Sequence, residues 1–420
     1  MVLKIQLDNL RTVEQSNLFL RALWANIRNE FGKCAWNFIP YRDTDKKLIT
    51  LGYMNYEDER TLEVSLHYKN IGNLIAISFI AEDEQQASDL RTIKKLIKES
   101  LNYNALMKDF SCKTKFESIR CNFSSYQGQY FKLNPLSGNF FECTIKICAF
   151  DNIDAKTIIL KKIKLISALL SVFSNCLILN TNKEVEASDI KVKENEYNVN
   201  LNWINDRPIK NNHVLLSEKS YLLIDKLISL DSFNENINLM LAAFTHFHSA
   251  RAQDSFEHDV LIPAGTSKVN DNTFELHHEK DDRFDVANEI QMSSTESATV
   301  LYMSSLEVAS LIGAKDLAKC KSCNQNQYSI SSRVQDFVKE NGGNGLVKTI
   351  RNYYNLRSRY LHQGKLLKNY SYIGHSIPTF DLESQSHMQE YSQVSVLNLR
   401  EWCSYFLRQS VESMDFEKFG

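Results

Sequence analysis

The sequence predicts an α+β protein: a mixed N-terminal α+β domain followed by an all-α helical bundle. Three observations lead there. Two groups of strand-like segments before residue 150 are separated by an amphipathic helix. After residue 216 the apolar residues recur at helical spacing. Gly (13 of 420) and Pro (5) are scarce, which favours long helices and few tight turns.

In order along the chain, Leu62 to Tyr68 alternates apolar with polar, and Leu74 to Ile80 follows after Asn70-Ile-Gly-Asn73, a pattern expected of a β-hairpin within a strand group at 47–82. Residues 85–101 form a helix with Leu90, Ile93, Ile97 and Leu101 on one face and Lys94, Lys95 and Lys98 toward water. A second strand group occupies 112–150, and Asp154 is the expected N-cap of a helix to about Phe173. The polar stretch 180–196 precedes a short strand at 197–204. Helices are then expected at 218–229 and 233–250, the latter carrying Ile237, Met240, Leu241, Phe244 and Phe247. The polar, histidine-containing segment 253–294 reads as a long loop. Further helices fall at about 296–312, 328–340, 346–362 and 390–412, the last with Val396, Leu399, Cys403 and Phe406 on one stripe. The domains implied are 1–215, a sensing or targeting module, a connecting helix at 216–232, and the helical domain 233–412.

The 49 basic and 51 acidic residues give a formal charge of −2, so any polyanion must be met by a local patch. The N-terminus lacks the basic and apolar regions of a signal peptide, and Leu165 to Leu179 is too short and too rich in serine for a membrane span, so a cytoplasmic protein with no membrane partner is expected. Nine scattered cysteines fit reduced thiols. Cys320 and Cys323 lack a second ligand pair at zinc-site spacing and read as ordinary thiols; no metal and no cofactor are expected.

The segment from Leu346 to Gly364 stands apart. Between Asn341 and Phe380 there is no acidic residue, while Lys348, Arg351, Arg357, Arg359, Lys365 and Lys368 supply six cations interleaved with Tyr353, Tyr354 and Tyr360. Tyrosines among cations suit stacking on unpaired bases; the same pattern is also that of a solvated basic helix packed by its tyrosines. Arginine offers a planar fork for phosphate, and histidine moves protons near neutral pH, so Arg357 and His362 together suit phosphodiester cleavage. Five residues on a helix rotate about 140°, which separates the two side chains unless the helix ends near His362, as Gly364 suggests, or the site is assembled between two chains.

Leu356-Arg-Ser-Arg-Tyr-Leu-His-Gln-Gly364 resembles the Arg-x4-6-His signature of HEPN domains. The wider context, with Leu239-Met-Leu-Ala-Ala-Phe244, Ser304-Ser-Leu-Glu307, Ile330-Ser-Ser-Arg333 and Tyr353-Tyr-Asn-Leu-Arg-Ser358, is similar to the ApeA-like HEPN branch over about 233–412. The resemblance implies a homodimer whose facing motifs form a metal-independent endoribonuclease site. It implies that Arg357 orients the scissile phosphate and that His362 is the acid or base in attack by the ribose 2′-hydroxyl, giving 2′,3′-cyclic phosphate and 5′-hydroxyl ends. Ser358 would position His362 or a water. Glu307 would support the site, or serve only as a buried carboxylate paired with Arg333 or Arg357. Lys348, Arg351, Arg359, Tyr354 and Lys365 would bind flanking RNA. Gly364 stands where a variant of the motif carries a tyrosine that is AMPylated, so that form of control is not expected. By the same resemblance the setting would be antiviral defence or growth arrest, with a phage-derived trigger or regulatory partner acting at 1–215. The alternatives are a non-catalytic RNA-binding or dimerisation module and a nucleotide sensor.

Overall fold

A computed structural model of the chain describes residues 1–56, 60–69, 73–81, 84–118, 122–181, 209–210, 213–254, 261–270, 273–280, 295–313, 330–364 and 396–414. Antiparallel sheets dominate the N-terminal part and helices the remainder, as expected of the α+β class. The strand expected at 197–204, the Cys320/Cys323 pair, Lys365 and Lys368 lie outside the described residues.

The chain divides into two compact units. One comprises residues 1–112 and 146–161, the other 113–145 and 162–420. The division does not fall at residue 215, because the chain enters the second unit, returns to the first and leaves it again, so that most of the second strand group belongs with the helices.

In the first unit, β1 (Val2–Gln6), β2 (Ala35–Asp43), β3 (Leu48–Tyr56), β4 (Arg60–Tyr68) and β5 (Leu74–Ile80) form one antiparallel sheet in the order β1-β5-β4-β3-β2. The hairpin expected from the alternation is β4–β5, closed with Tyr68 opposite Leu74. Helices α1 (Val13–Phe31) and α2 (Glu84–Ser100) share its core, where Phe19, Leu23, Ile27, Val64, Ile77, Phe79, Ile93 and Ile97 are buried. The sequence reading places no element before residue 47, yet the signals for α1 are there. Thr12 is an N-cap whose Oγ1 accepts from Gln15 N–H at 3.2 Å, Glu14 sits in the first turn, and Phe19, Leu23 and Ile27 recur every four residues. The carboxylate of Asp89 on α2 accepts from Tyr56 at 2.8 Å and Arg60 at 2.9 Å, tying helix to sheet.

The second sheet has the order β11-β6-β10-β9-β8, with β6 (Lys108–Ser118), β8 (Tyr126–Gln127), β9 (Phe131–Pro135), β10 (Phe140–Ala149) and β11 (Ile178–Thr181). Its buried residues include Phe116, Phe131, Leu133, Phe141, Cys143 and Ile145. Two short strands, β12 (Ile209–Lys210) and β13 (His213–Val214), join β7 (Asn122–Phe123) in a third small sheet. Helix α4 (Asn152–Ser174) starts earlier than expected: Asp151, not Asp154, caps it, accepting from Asp154 N–H at 2.8 Å. Asp154 is free for another task because it lies one turn further in, and it forms a two-point ion pair with Arg21 (2.8 and 3.0 Å). No helix among the described residues is long and apolar enough to cross a membrane.

The helices of the second unit are α5 (Glu218–Ser229), α6 (Glu235–Asp254), α7 (Thr295–Ala309), α8 (Ile330–Gly342), α9 (Val347–Gln363) and α10 (Val396–Glu412), with a short α3 (Tyr103–Leu106) belonging to the first unit. The helix 6 stripe is buried at Ile237, Met240, Phe244 and Phe247, and α10 buries Leu399, Cys403 and Phe406. Helix α7 packs on α6, α8, α9 and α10, which makes it the centre of the group. There Asp254 accepts from Arg251 at 2.7 Å and from Tyr302, with Arg400 3.7 Å away, all four side chains buried. Part of the segment expected as a loop is a hairpin, β14 (Leu261–Asn270) and β15 (Thr273–Lys280), paired antiparallel. Asp271-Asn272 between β-prone flanks is a two-residue hairpin spacing, a signal outweighed in the sequence reading by the polarity of the whole segment.

Candidate nucleic-acid interface and active site

Helix α9 follows a 3₁₀ turn at Asn344–Leu346 and ends at Gly364, whose φ of 64° is the left-handed C-cap conformation and whose N–H bonds Tyr360 O at 3.2 Å. Its inner face buries Ile350 and Tyr353, the latter edge-to-face with Trp402 at 6.1 Å. Burial holds the Tyr353 hydroxyl well above the usual phenol range.

At 100° per residue, Lys348, Arg351, Asn355, Arg359 and His362 fall within about 80° of one another on the opposite side. All five are exposed, and among the described residues none takes part in an ion pair or a side-chain hydrogen bond. Four cationic or protonatable groups and one amide therefore form a continuous outward stripe about 21 Å long, at 1.5 Å rise per residue. Asn355 was not among the sequence-predicted site residues, although the 3- and 4-residue spacing of this series is readable from the sequence.

Arg357 is on another face. Its Nη2 donates to Glu307 Oε2 of α7 at 3.2 Å, and the two side chains are only 17% and 15% exposed. Burial raises the carboxyl of Glu307, opposed by the positive charges of Arg357 and of Arg333 on α8. The pairing is incomplete: Glu307 Oε1, Arg357 Nε, and Arg333 Nε and Nη1 are buried without a hydrogen-bond partner. Glu307 pairs with Arg357, one of the two arginines the sequence offered it. Arg333, the other partner the sequence offered for Glu307, belongs to this cluster.

Because α9 remains helical through Gln363, Arg357 and His362 stay about 140° apart. The helix ends one residue past His362, and that end does not bring the two side chains to one face. Ser358 is half-buried, and no hydrogen bond joins it to His362, which lies four residues on. Tyr354 is half-buried beside the stripe. Among the described residues no three His, Cys, Asp or Glu side chains cluster in a way suited to hold a metal.

No protein-family model matches the chain, and neither does any curated protein or solved structure.

Proposed function

We propose that the helical unit is an endoribonuclease that cleaves RNA by 2′-hydroxyl attack without a metal, acting as a homodimer in antiviral defence or growth arrest, with the N-terminal residues sensing or targeting. The observation that carries this reading is the outward stripe of α9: exposed, unpartnered, without acidic neighbours on the helix, and ending in a histidine. Unpaired cations in a row about 21 Å long suit a phosphate backbone. A histidine at the end of the row supplies proton transfer near neutral pH. The defence setting rests on the resemblance to HEPN domains alone.

The separation of Arg357 and His362 supports the homodimer. Arg357 and His362 point in different directions, so a site that uses both on one phosphate draws one of them from a second copy. Arg357 would stabilise charge on the phosphate in the transition state. Glu307 and Ser358 would hold the surroundings, and Lys348, Arg351, Arg359, Tyr354 and Lys365 would carry flanking nucleotides.

A second reading, an RNA-binding module without scission, is favoured by the Arg357–Glu307 pair, which engages the arginine with a structural partner. The two separate on incubation of total cellular RNA with the wild type, Arg357→Ala and His362→Ala, each shown to be folded, in EDTA. The nuclease reading expects fragments from the wild type alone, and light scattering that reports a dimer. RNA binding that weakens with salt while all three proteins leave RNA intact would establish the binding module instead.

A further inference from the structure

We infer that Arg359, rather than acting only on flanking RNA, is a catalytic residue: it contacts the phosphate whose leaving oxygen His362 protonates. The inference rests on the nuclease reading above and deepens it. Arg359 and His362 are three residues apart on a helix that is regular to Gln363, so they are separated by about 60° and 4.5 Å of rise, with Cβ atoms about 5–6 Å apart. Both are exposed, and neither is held by any described residue. No other arginine or lysine on α9 lies within four residues of His362 on its face, since Arg357 is turned to Glu307. Whatever phosphate reaches His362 therefore meets the Arg359 fork, which is shaped to grip two non-bridging oxygens at once.

In the step this implies, the P–O2′ bond forms as the P–O5′ bond breaks. The 2′-hydroxyl proton passes to solvent water, and the imidazolium of His362 gives its proton to the departing 5′-oxygen. Arg359 covers the non-bridging oxygens as negative charge builds on them. If the site is assembled from two copies, each His362 brings its own Arg359, so the pair is intact whichever chain supplies Arg357.

The test is single-turnover cleavage of a short RNA oligonucleotide by the full-length chain, with binding measured separately on the same RNA carrying 2′-deoxy sugars. Arg359 is exposed, so its replacement leaves the fold in place. Arg359→Ala is expected to lower the rate at saturating RNA by about 100-fold or more, the usual loss for one oxyanion donor. Lys348→Ala, at the far end of the stripe, should weaken binding. Arg359→Lys should keep affinity and lose rate, because it keeps the charge without the fork. Sulfur in place of a non-bridging oxygen at the scissile linkage should slow the wild type and have no added effect on Arg359→Ala. If Arg359→Ala loses affinity only and keeps the wild-type rate at saturating RNA, the inference is overturned while the nuclease reading stands. If the wild type binds no RNA or leaves it uncut, both fall.

Discussion

Glu307 faces two arginines, yet burial still raises its carboxyl above the ordinary value of 4.5. The sign of the consequence is fixed: below 4.5 the group is protonated whether the chain is folded or not, and as pH rises the unfolded chain ionises first and is favoured. The wild type should therefore lose stability relative to Glu307→Gln as pH rises from 4.5 through the raised value, in thermal melts of the two proteins side by side; parallel curves would contradict it. Arg357 and Arg359 differ in the same way that their faces do. Arg357→Ala leaves a half-buried carboxylate unpaired and should cost about 1–3 kcal/mol in urea unfolding, whereas Arg359→Ala, with nothing to lose but solvent contacts, should stay within about 0.5 kcal/mol. At this scale the sequence was legible in composition and only partly in direction. The density of cations around Arg357 and His362 is plain in the letters, and so is the helical rotation that separates them. That Glu307 rather than solvent holds Arg357 depends on packing between α7 and α9, which no local pattern encodes.

Elements with strong periodicity and clean ends were legible: the β4–β5 hairpin, the helices at 218–229 and 235–254, and α9 with its terminating Gly364. Where local polarity and pairing gave opposite signals, as in β14–β15, the pairing prevailed. Asp154 shows a subtler limit, since two aspartates three residues apart both fit a helix start and only the backbone geometry selects Asp151. Gly52 is a position whose need is invisible in sequence. In β3 it adopts φ 107°, and a Cβ there would lie 2.3 Å from Asn37 O and 2.7 Å from Ile39 N of β2. Backbone cannot yield as a side chain can, and the conformation itself disfavours other residues. Gly52→Ala should destabilise the first unit by about 1–3 kcal/mol, read as a lowered unfolding midpoint; an unchanged midpoint would show that the β2–β3 pairing tolerates a shift.

For the whole molecule, a formal charge of −2 means that, on the proposed reading, RNA would be met by the α9 stripe and not gathered by a general field. The salt dependence of binding measures this directly. With Lys348, Arg351 and Arg359 each displacing a counterion from single-stranded RNA, removing all three should reduce the slope of log affinity against log salt by about 2. A slope unchanged by the triple replacement would move the RNA site elsewhere. The same stripe bears on self-association: two copies cannot bring these faces together without opposing cations, so a dimer that faces α9 to α9 is favoured by a polyanion held between them. The most direct test of the nuclease account is end-group analysis of end-labelled RNA incubated in EDTA with the wild type and with folded His362→Ala. The account expects cutting by the wild type alone, with 2′,3′-cyclic phosphate and 5′-hydroxyl ends. Cutting that persists in His362→Ala, or that EDTA abolishes, would contradict it.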